Sequence, residues 1–195
     1  MITDCTAVIL AGGDSRRMGR DKAALPLHGK PLLQHVTDAV AQVFPQVIVS
    51  VRQPRAGLDL PQVCDAQPDG GPLAGLAAAL ESIATPWLFA VGCDMPFVSP
   101  AVIEVLARRR VGHQAVVPLV QGHPQPLAAF YARECLAAIR DIQAGGGKQS
   151  LRALLERLDV CYVDEAQLRE HDPQLRSFFD LDTPADVAAA SNGVS

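Results

Sequence analysis

The sequence predicts an α/β protein whose single domain is built on a mostly parallel, doubly wound sheet. Apolar runs of strand length alternate with longer amphipathic stretches, the pattern of strand–helix–strand units whose crossovers lay helices on both faces of a sheet. A length of 195 residues suits one domain. With 49% of residues hydrophobic and 19% charged, the chain can bury a full core. The domain is expected over residues 1–190, with 191–195 as a frayed tail.

Thr6–Leu10 is a short apolar run stopped by Gly12-Gly13, which reads as a buried strand ending in a loop. Pro31 opens a helix with Leu32, Leu33, Val36, Ala39, Val40 and Val43 on one face. Gln46–Val51 is β-branched and reads as the next strand. Pro72–Ile83 is a helix of small residues, and Trp87–Val91 is a third strand ending at Gly92-Cys93-Asp94. Ser99 is placed to cap a helix that starts at Pro100 and runs to Arg110. Ala115–Val120 and Leu127–Tyr131 are strands separated by the polar turn Gln121–Gln125. Arg133–Gln143 and Ser150–Leu158 read as helices, and Val160–Val163 as a short strand. Thr183-Pro184 begins a last helix, with Asp186 placed for a capping box.

Charge and cysteine usage narrow the function classes. The formal net charge is −4 and the Lys and Arg residues are scattered, which argues against non-specific nucleic-acid binding and against a basic membrane-surface protein. The five cysteines are far apart, form no CxxC pair and sit mostly in apolar stretches, so they read as reduced thiols packed as small hydrophobes. No stretch reaches the length of a membrane span, and no basic segment with an apolar core follows Met1. The expected location is the cytoplasm.

In sheets of this kind ligands sit beyond the carboxyl ends of the strands, near a switch in strand order. That rule selects Gly12-Gly13, Ser50, Asp65 and Asp94. Two glycines after a strand allow close approach of the backbone to phosphate oxygens, although such a pair is also an ordinary turn. Arg16, Arg17 and Lys22 follow and can neutralise a triphosphate. The pattern is neither GxxxxGK[ST] nor GxGxxG. A lone Asp at a strand end is commonly a cap, but Asp94 shares the crevice of the glycine loop, where a triphosphate needs a divalent ion held by a carboxylate. Gly71 and Gly75 leave room for a ligand near a helix N-terminus, which favours anions.

The whole string Leu10-Ala11-Gly12-Gly13-Asp14-Ser15-Arg16-Arg17-Met18-Gly19-Arg20-Asp21-Lys22 resembles the LAGGxSxRMGxDK motif of the nucleotidyltransferase family that contains the molybdopterin guanylyl- and cytidylyltransferases. Cys93-Asp94-Met95-Pro96 resembles that family's C-D-x-P metal motif, and Gly71-Pro72-Leu73-Ala74-Gly75 its G-P-L-A-G motif. The resemblance runs from Leu10 to Asp186. It implies a Rossmann-like nucleotidyltransferase fold with a late antiparallel strand, and Mg²⁺ as cofactor. The implied reaction transfers GMP from GTP to Mo-molybdopterin with release of pyrophosphate, in transient contact with cofactor-biosynthesis proteins or acceptor apo-enzymes. It further implies that Leu10, Ala11, Gly12, Gly13, Ser50, Asp65, Gly71 and Asp94 bind the nucleotide. Lys22 and Arg16 would contact its phosphates, and Asp94 would hold the metal. Ser50 departs from the family pattern, where Asn is frequent.

Three further features keep two readings each. His123, in the loop before the late strand that leads toward the pterin side, is a surface-turn histidine or a catalytic base. Lys148, in Gly145-Gly146-Gly147-Lys148, is part of a flexible connection or a phosphate contact to the acceptor. Phe178–Pro184 resembles the family's C-terminal motif with Asp where Asn is usual. Alternation puts Asp180 and Asp182 on one side of a strand, as acceptor or metal ligands or as helix caps. The rival functions are a CTP-dependent enzyme of the same fold, a sugar-phosphate nucleotidyltransferase, and a non-catalytic nucleotide-binding adaptor for cofactor delivery. Lys22 and Asp94 together speak against the adaptor.

Overall fold

The computed structural model describes residues 1–12, 22–65, 70–146, 148–181, 183, 186–188 and 190. In chain order, β1 (Cys5–Leu10) leads to a 3-10 turn at Lys22–Ala24 and a small hairpin of β2 (Pro26–Leu27) and β3 (Lys30–Pro31). α1 (Leu32–Ala41), β4 (Val47–Val51), β5 (Gln62–Cys64), α2 (Gly71–Ser82) and β6 (Trp87–Gly92) follow. The second half contains α3 (Pro100–Ala107), β7 (Ala115–Val120), β8 (His123–Pro124), β9 (Ala128–Ala132), α4 (Cys135–Ala144), α5 (Leu151–Leu155), β10 (Val160–Val163) and α6 (Glu165–Arg169).

The main sheet has the order β10-β7-β9-β6-β1-β4-β5, with β8 paired to β7. β5, β4, β1 and β6 run parallel, whereas β9 is antiparallel to both β6 and β7. The predicted mostly parallel sheet with a late antiparallel strand is therefore what the chain forms. Strand alternation divides the core into two layers. Ile9, Phe89, Val91 and Phe130 join Val36 and Val40 of α1, Ile103 and Leu106 of α3 and Leu168 of α6 on one face. Val8, Leu88, Ala90 and Tyr131 join Leu76 and Leu80 of α2, Ile139 of α4 and Leu154 of α5 on the other. Phe44, Phe89 and Phe130 form a ring cluster with centroids 4.9–6.1 Å apart, each pair adding about 1 kcal/mol beyond its burial. Among the described residues no helix is long and apolar enough to cross a membrane.

Several local expectations need correction. Ser99 occupies the cap position of α3, but its side chain makes no cap bond, and its N–H donates to Ser177 Oγ at 3.0 Å. That helix stops at Ala107, not Arg110, because the N–H groups of Arg109 and Arg110 close tight turns before Gly112 at φ 85°. The turn at Gln121–Gln125 itself contains β8, a hairpin arm built on positive φ at Gln121 and Gly122. Residues 178–181 are not a strand. Leu175 at φ 54° starts a 3-10 turn over Arg176–Phe178, held by the Ser177 N–H donating to Asp172 Oδ2 at 2.7 Å. The expected capping box is present, with the Thr183 N–H on Asp186 Oδ2 and the Asp186 N–H on Thr183 Oγ1.

Candidate active site

The chain leaves β1 for β4 and β5 on one side and returns to β6 on the other, so the strand order switches between β1 and β6. Loops diverge from their carboxyl ends and open a crevice. It measures about 170 Å³ and is lined by Leu10, Ala11, Gly12, Lys22, Ser50, Asp65, Gly71, Gly75, Gly92, Asp94 and Leu127, among others. Eight of the residues expected to contact the nucleotide thus meet at one place, together with Gly75. Gly13, Arg16 and Asp182 lie outside the described residues. Asp180 and Lys148 are exposed. Lys148 follows α4, which starts near Pro86 at the amino edge of the sheet, and it does not line the crevice.

Lys22 and Asp94 form the centre. Lys22 Nζ stands 3.5 Å from Asp94 Oδ2, and both side chains are about one-fifth exposed, at 20% and 22%. Asp94 sits in the turn after β6, where its carbonyl accepts the Leu181 N–H at 2.9 Å. Leu181 is fully buried against Leu27 and Leu32, so the C-terminal segment braces this turn. A Cβ on Gly92 would run into Asp94 Oδ1 and approach Met95 Cγ to 3.4 Å. Glycine is thus required there for the carboxylate to fold over the strand end. Burial raises the Asp94 pKa, the Lys22 ammonium pulls it back and the Asp180 carboxylate adds to the rise; the net direction is up. Lys22 is held by its own 3-10 turn, in which Ala23 is buried and the Leu25 N–H donates to the Lys22 carbonyl at 3.1 Å.

The opposite wall is the start of α2. Gly71 has φ 59° at the first helical position, with Pro72 behind it, and the first-turn N–H groups of such a helix favour an anion. A Cβ on Gly75 would come within 2.8 Å of Ser50 Oγ and 3.0 Å of Leu10 Cδ2. Gly75 therefore serves the close approach of α2 to β1 and β4 and also lines the crevice. Ser50 is buried, and Asp65 is half-buried beyond β5 with its pKa raised by burial against the pull of Arg52.

Two arginines near the site were not singled out in the sequence. Arg52 borders Gly12, where a Cβ would meet Arg52 Cγ at 3.5 Å and Asp65 Oδ2 at 3.7 Å. Arg55 Nη2 donates to the Ala11 carbonyl at 2.9 Å across 44 residues of chain. Their signal was two cations just after the strand that ends at Val51, in a loop whose course the sequence does not show.

A lysine and a carboxylate facing each other at the switch point, with a helix start opposite, suit a polyphosphate and its metal ion. The fold and this site are those of a nucleotidyltransferase. Residues 7–161 match the family described as the MobA-like NTP transferase domain. The chain is 36% identical over 194 residues to the probable molybdenum cofactor guanylyltransferase of Pelotomaculum thermopropionicum, covering 95% of this chain and 91% of that one. It is 35% identical over 185 residues to the molybdenum cofactor guanylyltransferase of Syntrophotalea carbinolica, covering 93% and 88%. The crystal structure of molybdopterin-guanine dinucleotide biosynthesis protein A from Archaeoglobus fulgidus superposes with a TM-score of 0.82 at 31% identity, over 96% of each chain. The chain belongs to the MobA-like NTP transferase family.

Proposed function

We propose that the protein transfers GMP from GTP to the terminal phosphate of Mo-molybdopterin, giving the guanine dinucleotide and pyrophosphate, and that it does so in the cytoplasm. The observation that carries this reading is the Lys22–Asp94 pair at 3.5 Å in a crevice between a glycine turn and a helix start. The names of the relatives support the guanylyl and molybdopterin specificities. The five cysteines stand as thiols, which suits a reducing compartment.

Among the described residues no group of three His, Cys, Asp or Glu could cage a metal. One buried-edge carboxylate whose charge is disfavoured by burial suits Mg²⁺, which takes one or two carboxylates and completes its shell with phosphate oxygens and water. Asp94 would hold Mg²⁺, which would supply positive charge against the phosphates. The chain's own residues do the rest. Gly12 and the start of α2 receive the nucleotide, Ser50 and Asp65 line its base and ribose side, and Lys22 meets the negative charge that grows as pyrophosphate leaves. Arg16 is assigned to the leaving group. Catalysis is positioning plus electrostatics, with no covalent enzyme intermediate.

The test is pyrophosphate release with GTP or CTP in the presence of Mg²⁺ and Mo-molybdopterin. GTP supports turnover and the guanine dinucleotide is the main product when both are supplied equally. A mainly cytosine product moves the protein to the cytidylyl branch, and no pyrophosphate with either nucleotide removes the enzymatic reading.

A further inference from the structure

We infer that Arg55 is a positioning residue that locks the Ala11–Gly12 peptide so that the Gly12 N–H faces the phosphate crevice. Three hydrogen bonds along the carboxyl edge fix the directions. The Cys93 N–H donates to the Leu10 carbonyl at 3.1 Å, so Leu10 points toward β6, whereas the Ala11 N–H donates to the Ser50 carbonyl at 2.9 Å, so Ala11 points toward β4. The Ala11 carbonyl is held on that same β4 side by Arg55 Nη2 at 2.9 Å. In a trans peptide the carbonyl and the following N–H point in opposite directions. Gly12 therefore presents its N–H to the β6 side, where Lys22 and Asp94 lie. Among the described residues that N–H has no protein partner.

Glycine makes such a lock necessary. With no Cβ, the Gly12 side of this peptide rotates at little cost, and a rotation of half a turn would aim the Ala11 carbonyl at the phosphates in place of a donor. Arg55 is itself anchored. Its N–H donates to Gln62 Oε1 at 2.8 Å and its carbonyl accepts from Gln62 Nε2 at 2.9 Å. Gln62 lies in β5, so the sheet carries the guanidinium to its place.

This inference rests on the crevice being a polyphosphate site, as proposed above, but not on which base or acceptor is used. The experiment compares wild type with Arg55→Met and Gln62→Ala in calorimetric binding of Mg²⁺-tripolyphosphate, guanosine and GTP. Hydrogen exchange at the Gly12 amide is followed in parallel with each protein saturated with Mg²⁺-tripolyphosphate, whose oxygens are the acceptor that protects it. Arg55→Met weakens tripolyphosphate and GTP about tenfold or more and leaves guanosine unchanged. Gln62→Ala keeps the positive charge, yet weakens the same two ligands several-fold and speeds exchange at Gly12 without speeding it in β1 or β6. Wild-type affinity for tripolyphosphate in either variant overturns the lock, as does loss confined to Arg55→Met with Gly12 exchange unchanged, which marks a charge effect alone. If Arg55→Met does not fold, Gln62→Ala decides by itself. Wild type that binds tripolyphosphate but does not turn over GTP removes the proposed reaction and leaves the lock standing.

Discussion

The two edges of the sheet differ in a way that their sizes conceal. The amino edge holds the larger hollow, about 770 Å³ beside Trp87 and Arg110, against about 170 Å³ at the carboxyl edge. At the amino edge most polar groups answer one another, the exception among the described residues being His113 Nδ1, which is 3.4 Å from Asp159 Oδ2 but makes no hydrogen bond. Both Arg110 Nη atoms donate to Asp4 Oδ1 at 3.1 Å, and the guanidinium lies 5.4 Å from the Trp87 and Phe130 ring centres. Buried Thr6 bonds Gln46 and Thr85. At the carboxyl edge Asp94 and Asp65 both have their pKa raised by burial despite a neighbouring cation. One edge pairs its arginine with a carboxylate, and the other holds charge that a metal-bound triphosphate would relieve. Unrelieved charge locates the site better than volume does.

The largest test of that contrast is Asp94→Asn. It lowers turnover about 10³-fold, since metal charge stabilisation is worth several kcal/mol, and steady-state pyrophosphate release measures it. Stability moves the other way. A folded-state pKa raised above the unfolded value means the native protein binds more protons in the window between the two, so stability falls as pH rises through it. Without metal and nucleotide, Asp94→Asn therefore melts at or above the wild-type temperature at pH 7, and the difference closes at acid pH. A lower melting temperature at neutral pH would contradict the reading of Asp94 as a strained ion.

Lys22→Ala lowers kcat and kcat/KM together by about 10²-fold, because its charge acts most on the developing leaving group. A change in KM alone would reduce Lys22 to a ground-state contact. Gly92→Ala costs about ten- to a hundredfold in kcat while the fold persists, since a misplacement near 1 Å is enough. Unchanged kcat would show that Asp94 has another position to work from. The smallest effect belongs to the amino edge. Arg110→Ala leaves kcat unaltered and lowers the melting temperature by roughly 2–4 °C, the equivalent of about 1 kcal/mol in a chain of this size, read by thermal unfolding beside an activity assay.

Much of the fold was legible because buried strands such as β1 and β6 are continuous apolar runs. β5 escaped because it is an edge strand with Cys64 exposed and no alternation to read. The hairpin at residues 26–31 escaped because its arms have two residues each, although His28 and Gly29, both at positive φ, are turn residues of the expected kind. At Phe178–Leu181 the apolar pattern suggested a strand, whereas the buried Asp172–Ser177 hydrogen bond winds the chain into a turn. In the crevice, Leu10 to Gly12, Lys22 and Asp94 stand in contiguous motifs and were found. Arg55 was not, because its partner Ala11 is set by the register of β4 beside β1 and of β5 beside β4, which no local pattern states.

The antiparallel insertion of β9 also sets an order of events during synthesis. β6 is buried along nearly its whole length and pairs with β1 on one side, but its other neighbour is β9, made about 40 residues later. Until Ala128–Ala132 has been translated and slotted in, the strand leading to Asp94 presents a wholly apolar open edge, the kind of template on which nascent chains stick to one another. The architecture that places Asp94 thus leaves its own supporting strand with an open apolar edge in the growing chain, and ties recovery of soluble protein to how promptly β9 arrives.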